Sequence, residues 1–269
     1  MTKAKTDHSN SNEKRNNVCL YPTLLRNKKY AKNKKNKGQP PLVYDTRTLY
    51  VPIGCDNCAE CRNRKAREWQ IRLTEDIKEH KNGKFITLTF SNQSITKLVQ
   101  DNKDLHGIIG YALDNAIATK AVRLFLERWR KKYTKSLRHW LVTELGHDGT
   151  ENIHLHGIIW TDENLKEVED KWQYGFMWKG QETSTGILNY VTTRTVNYIT
   201  KYITKQDLDH KLYKSKTLCS PGIGAAYLKR FAAIQNEWNA SETRDYYVAE
   251  SRHKMSLPIY YRNKICNRS

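Results

Sequence analysis

No stretch of this sequence approaches the roughly eighteen consecutive apolar residues of a membrane-spanning helix, so no spanning segment is expected. The first eighteen residues hold no apolar run, and no secretory signal is expected there. There is no internal repeat. Acidic residues are scarce: 28 Asp and Glu stand against 47 Lys and Arg, a formal net charge of +19 in 269 residues. That imbalance calls for a polyanionic partner. Nucleic acid is the first candidate because neutralising phosphates releases condensed counterions. An anionic membrane surface is the competitor, and charge serving only solubility is the plainest alternative. Cysteines number six, and three of them crowd at Cys55, Cys58 and Cys61. A disulfide framework would spread its cysteines through loops, so this clustering reads as reduced thiolates able to hold a metal.

What is present suffices for a packed core. The hydrophobic fraction is 38%, with seven Trp and sixteen Tyr. Residues 1–40 are the exception: they are rich in Lys and Arg against only Asp7 and Glu13. Such a segment has too little apolar surface to offset ordering entropy. It reads as a flexible arm, either a plain solvated tail or one that tracks phosphates. We divide the rest into a Cys-cluster segment with a basic helix (41–80), a core (81–210) and a C-terminal extension packing on that core (211–269).

The periodicities predict a helix from Cys61 to about Glu79, carrying Ala66, Trp69, Leu73 and Ile77 at helical spacing. A β-branched and aromatic strand follows at Phe85–Phe90. A second helix spans 114–133. Strands at His139–Leu145 and Asn152–Trp160 form a hairpin around Gly146–Gly149. Thr161-Asp162 is expected to cap a helix through Leu165, Val168 and Trp172. Short strands near 175–178 and 187–191 precede a helix at about 194–206. This order predicts an α+β fold, an antiparallel sheet packed by helices on one side.

Residues two apart in a strand share a face, so His154 and His156 present two imidazoles side by side. Two convergent imidazoles bind a divalent ion, and a carboxylate from the neighbouring strand would complete the set. Glu144 is the candidate, with Asp148 and Glu151 as fallbacks. The alternative is a pair of hydrogen-bonded structural histidines.

In Val196–Lys205 the helical step puts Tyr198, Tyr202, Lys201 and Lys205 on one face and Val196, Ile199 and Ile203 on the other. A phenol is mostly protonated at neutral pH and needs activation to act as a nucleophile, which nearby lysines favour. The competing reading is a basic, aromatic helix that only stacks bases and touches phosphates. Arg62, Arg64, Arg67 and Arg72 crowd the first helix, as phosphate contacts or as a solvated face. Three thiolates at Cys55, Cys58 and Cys61, with Cys19 as the fourth ligand, suit a structural Zn²⁺. An iron–sulfur cluster or free cysteines are the alternatives. Cys219 and Cys266 carry no signal.

A hydrophobic strand, then His154-Leu155-His156, then a helix with paired tyrosines resembles the HUH endonucleases. More closely, the chain is similar to the replication initiators of Microviridae of the gokushovirus type. The resemblance covers roughly residues 19–262. It includes Cys55-x-x-Cys58-x-x-Cys61-Arg62, Glu68-Trp69, Pro221-Gly222-Ile223-Gly224 and Leu257-Pro258-Ile259-Tyr260-Tyr261. Its most specific part is Tyr198-x-x-Lys201-Tyr202. It implies a ferredoxin/RRM-like core and a metal-dependent nickase and strand transferase for rolling-circle replication. By that resemblance His154 and His156 are ligands for Mg²⁺ or Mn²⁺, with Glu144 at the third position. Tyr198 and Tyr202 become nucleophiles forming a 5′-phosphotyrosine, with Lys201 as electrostatic helper. Implied partners are single-stranded origin DNA and the polymerase and helicase of a bacterial host, in whose cytoplasm it acts. The arm before Cys19 is longer than the family leads one to expect. Competing readings are a non-catalytic nucleic-acid-binding protein with a zinc clip, and a single-tyrosine HUH transposase.

Overall fold

In the computed structural model, residues 19–146, 151–205 and 209–265 are described. The arm before Cys19, the fallback ligand Asp148 and Cys266 lie outside them. Two compact units divide at Arg64 and Lys65. In the first, β1 (Thr23–Arg26) pairs antiparallel with β2 (Tyr50–Ile53). Helix α1 (Ala59–Glu79) begins there, two residues before the expected start at Cys61.

The second unit continues α1 and runs through β3 (Gly83–Leu88), α2 (Asn92–Asp101), α3 (Gly110–Tyr133), β4 (Arg138–Leu145) and β5 (Ile153–Trp160). Then come α4 (Leu165–Trp172), β6 (Met177–Trp178), a small hairpin of β7 (Gln181–Thr183) and β8 (Gly186–Leu188), and α5 (Thr193–Thr204). The chain continues through β9 (Thr217–Cys219), α6 (Phe231–Ile234), a second hairpin of β10 (Tyr246–Val248) and β11 (Lys254–Ser256), and α7 (Ile259–Ile265). The fold is α+β. Its main sheet has five antiparallel strands in the order β6-β3-β5-β4-β9. None of the helices among the described residues is long and apolar enough to cross a membrane.

Alternation along the central strands sorts the core into layers. Ile86, Leu88, Leu141, Leu145, Ile153, Leu155 and Ile159 turn to one face, against Ile117, Phe125 and Trp129 of α3 and Val168 and Trp172 of α4. Trp140, Val142, Ile158 and Trp160 turn to the other, against Leu73 of α1 and Val196, Ile199 and Ile203 of α5. Helices therefore cover both faces, where one was expected. The reason is that β5 is apolar on both faces apart from its two histidines, and such a strand must be covered twice. Gly157 sits between these layers, where a Cβ would stand 2.0 Å from Trp140 O. A third cluster joins Ile71 of α1 to Tyr227, Tyr247, Leu257, Tyr261 and Ile265 of the C-terminal segment.

Other departures from the expected elements are local. Helix α4 is capped by Asn164, whose side chain accepts from the Lys166 N–H, instead of by Thr161-Asp162. Helix α2 and edge strand β9 were not anticipated. Three residues of β9 are too short a run for a period to show, yet they close the β4 edge through Cys219, Leu218 and Thr217.

Candidate active site

The hairpin register sets Glu144 of β4 directly opposite His154, and His156 opposite Val142 on one side and Thr87 on the other. His154, His156 and Glu144 all face the α5 layer. His156 Nε2 lies 2.9 Å from Glu144 Oε2, while its Nδ1 is 3.0 Å from Thr87 Oγ1. The buried Nε2 makes no aligned hydrogen bond. The His154 ring centroid is 6.4 Å from that of His156. Burial first, then the neighbouring His156, lowers the His154 pKa against the pull of Glu144, which favours the neutral imidazole. Burial would raise the Glu144 carboxyl, but the neighbouring His156 and Lys205 outweigh it and hold the group below the usual carboxylate range.

Helix α5 delivers the phenols. Thr192 and Thr195 form a reciprocal capping box that fixes its start. Burial of Val196, Ile199 and Ile203 then fixes its rotation. The other side presents Tyr198, which is 50% exposed, and Tyr202, which is partly buried. The Tyr202 ring stacks on His156 with centroids 4.3 Å apart and planes 2° from parallel. The two phenol oxygens are 2.8 Å apart, sharing one hydrogen bond. Burial, then the bond to Tyr198 and the charge of Glu144, pushes the Tyr202 phenol well above its ordinary pKa. Lys205 donates to Glu144 Oε1. Lys201 is exposed, and among the described residues its ammonium has no hydrogen-bond or ion-pair partner.

Residues 83–207 match the family model of the ORF2-type replication-associated proteins. The match begins with the first residue of β3 and runs past the end of α5, so the matched segment contains both histidines, Glu144 and both tyrosines. No curated protein and no solved structure matches the chain.

Three residues of the matched segment shape the site without having been singled out. Thr87 orients His156. Phe85 meets the Tyr198 ring edge-on with centroids 6.0 Å apart. Asn189 bonds the backbone of Phe85. Thr87 had a legible signal, since it is a hydroxyl set among the large apolar residues of a buried strand. Asn189 had none.

The basic helix is less open than its sequence suggests. In the first unit, Arg62 donates to the Asn57 carbonyl, and Arg64 Nη2 lies 3.9 Å from Cys61 Sγ. In the second, Arg67 is half-buried. Arg72 departs most from the expected phosphate contact. Its guanidinium is sandwiched 4.1 Å from the Trp69 ring centroid and 4.0 Å from that of Tyr260, and it donates to Ile223 O at 3.1 Å. Packing, more than solvent, holds it.

Cys19, Cys55, Cys58 and Cys61 come together in the first unit, with one sulfur from each within 4.8 Å of every other. These four could hold a metal ion. His154, His156 and Glu144 are not drawn together so tightly.

Proposed function

We propose that this protein nicks single-stranded DNA at a phage replication origin, joins itself to the cut strand through Tyr198 or Tyr202, and later rejoins that strand. The observation that carries this reading is the stack of Tyr202 on His156, with Tyr198 hydrogen-bonded beside it. Two candidate nucleophiles thus stand against the imidazole and carboxylate that could bind a metal.

Two imidazoles and a carboxylate are a donor set for Mg²⁺ or Mn²⁺, and the buried His156 Nε2 without an aligned donor fits a ligand atom. Held by His154, His156 and Glu144, such an ion would neutralise charge on the non-bridging oxygens of the scissile phosphate. The Thr87 hydroxyl, hydrogen-bonded to Nδ1, orients the His156 ring within the site. Lys205 engages one oxygen of Glu144 and keeps the carboxylate turned into the site.

Tyr198 is the more exposed phenol, the one a strand reaches first. Its oxygen gives up its proton and attacks phosphorus, the phosphorus–O3′ bond breaks, and the departing oxygen takes up a proton to leave a 3′-OH, so that no net proton is gained or lost. The tyrosine now carries the 5′-phosphate. Tyr202 stays protonated through burial and can donate to the Tyr198 oxygen, supporting charge there during attack. Lys201, exposed on the same helix, adds positive potential for the phosphate. A host polymerase then extends the 3′-OH while a helicase opens the duplex. When the origin is regenerated, Tyr202 makes the second cut, and the freed 3′-OH attacks the first phosphotyrosine and closes the circle. This places the protein in the cytoplasm of a bacterial host. Two phenols on one face serve that alternation, since one is occupied when the other is needed.

The test is adduct formation. Protein, origin oligonucleotide and Mn²⁺ are combined and resolved on a denaturing gel. Wild type, Tyr198→Phe and Tyr202→Phe each form a covalent adduct, the double variant forms none, and EDTA abolishes the reaction. DNA binding that persists with no adduct under any divalent metal would replace this reading with that of a binding protein.

A further inference from the structure

The first unit has almost no core. Among its described residues, 19–64, Cys61 alone is buried, and all eight residues of β1 and β2 are exposed. A two-stranded hairpin without a covered apolar face does not hold itself together in water. Units this small are usually stapled by disulfides or a metal. The cysteines of this unit are free thiols, and the Cys58 and Cys19 sulfurs lie 3.9 Å apart, well beyond a disulfide bond. We infer that Cys19, Cys55, Cys58 and Cys61 bind one zinc ion, and that this ion is the staple that lets residues 19–64 fold.

Three features of the geometry favour a single ion. With bonds near 2.3 Å, the edges of a tetrahedral Zn–S₄ site are about 3.8 Å long, matching the Cys58–Cys19 separation. All four sulfurs lie within 4.8 Å of one another, compact enough for one centre. A multi-iron cluster places inorganic sulfide between its metals and spreads its cysteines further. Backbone N–H groups already point at the sulfurs: Cys55 N–H donates to Cys19 Sγ at 3.2 Å, and Cys58 N–H donates to Cys55 Sγ at 3.2 Å. The turn that aims them needs Asp56 in the left-handed region, at φ +56°. Gly54 completes the cradle, for a Cβ there would stand 2.9 Å from Cys61 Sγ. Four protein sulfurs leave no open coordination position, so the ion is structural, with no part in nicking.

The ion ties three separate places in the sequence. Cys19 precedes β1, Cys55 and Cys58 follow β2, and Cys61 lies in the first turn of α1. Binding and folding of this unit are then one equilibrium.

The experiment uses the full chain and is independent of nicking. Elemental analysis of purified wild type should find about one zinc per chain. Cys58→Ser and Cys55→Ser should each lose it, while Cys219→Ser, in the other unit, keeps it. Replacing zinc by Co²⁺ should give the visible bands and thiolate charge-transfer absorption of a tetrahedral sulfur site. Chelation should speed protease cleavage within residues 19–64 by tenfold or more and leave the fragment from β3 onward intact. If the cysteine variants are insoluble, the cobalt spectrum and the chelation-dependent cleavage of wild type decide the matter. Stoichiometric iron, a disulfide between these cysteines, or a wild-type chain that neither contains zinc nor takes up cobalt would overturn the proposal.

Discussion

Asn189 grips the backbone of Phe85 from both sides. Its Oδ1 accepts the Phe85 N–H at 2.9 Å and its Nδ2 donates to Phe85 O at 2.7 Å, with a further bond to Lys179 O at 2.7 Å. The side chain thereby replaces a strand partner for β3 at the point where Phe85 abuts Tyr198. Asn189→Ala leaves these backbone groups unpaired and should cost about 1–3 kcal/mol. The urea midpoint should fall, and adduct yield at Tyr198, measured in a Tyr202→Phe background, should fall further than the loss of folded protein explains.

Thr87→Val keeps the shape and β propensity of its strand but removes the hydroxyl that orients His156. Loss of such an outer partner typically weakens metal binding by about 10–100-fold. The Mn²⁺ concentration for half-maximal adduct formation should rise by that factor, with the yield at saturating Mn²⁺ largely restored. An unchanged metal requirement would mean that His156 is not a ligand.

Gly157→Ala should be among the most damaging single-methyl changes. The new Cβ would sit 2.0 Å from Trp140 O and 2.8 Å from Leu141 Cα, both backbone atoms of the adjacent strand. We expect a loss of about 3 kcal/mol or more by urea denaturation. Gly107→Ala is the control: at φ +81° but with nothing within 4 Å, it should cost about 1 kcal/mol.

Arg72→Ala separates packing from phosphate binding. Removing a guanidinium held between Trp69 and Tyr260 should lower stability by about 2 kcal/mol. The slope of log DNA affinity against log salt should stay at the wild-type value, whereas loss of a true phosphate contact would reduce it by about 1.

Acid should destabilise the fold through His139. Burial first, and Arg138 besides, lowers its pKa against a hydrogen bond to Leu137 O. A histidine lowered in the folded state binds its proton more readily when unfolded. Its stabilising contribution is therefore full above the unfolded value near 6.5 and is lost as pH falls through the lower folded value. Urea midpoints should decline below about pH 6.5, and less steeply in His139→Gln. Some decline should remain in that variant, since His154 is shifted the same way.

The pairing of His154 with His156 and of Tyr198 with Tyr202 was legible without coordinates. A strand repeats every two residues and a helix every 3.6, so residues at those steps share a face in any fold. Glu144 was nearly as legible, because a hairpin of two recognisable strands sets which residues oppose each other, and the register does put it across from His154. The position of Lys205 on α5 was readable too, but its engagement with Glu144 was not. The same holds for Arg72, read as part of a basic face and found between two aromatic rings.

Charge, the long periodic elements and the face that the paired histidines and tyrosines occupy follow from the amino-acid order alone, because composition and backbone periodicity are local properties. Cys19 had been named from the sequence as the partner of Cys55, Cys58 and Cys61, whereas the stacking of Tyr202 on His156, the tether from Thr87 and the second helical layer were decided only by tertiary structure. Each joins residues far apart in the chain, and such contacts depend on how whole layers pack, a sum over many side chains that no short window of sequence contains.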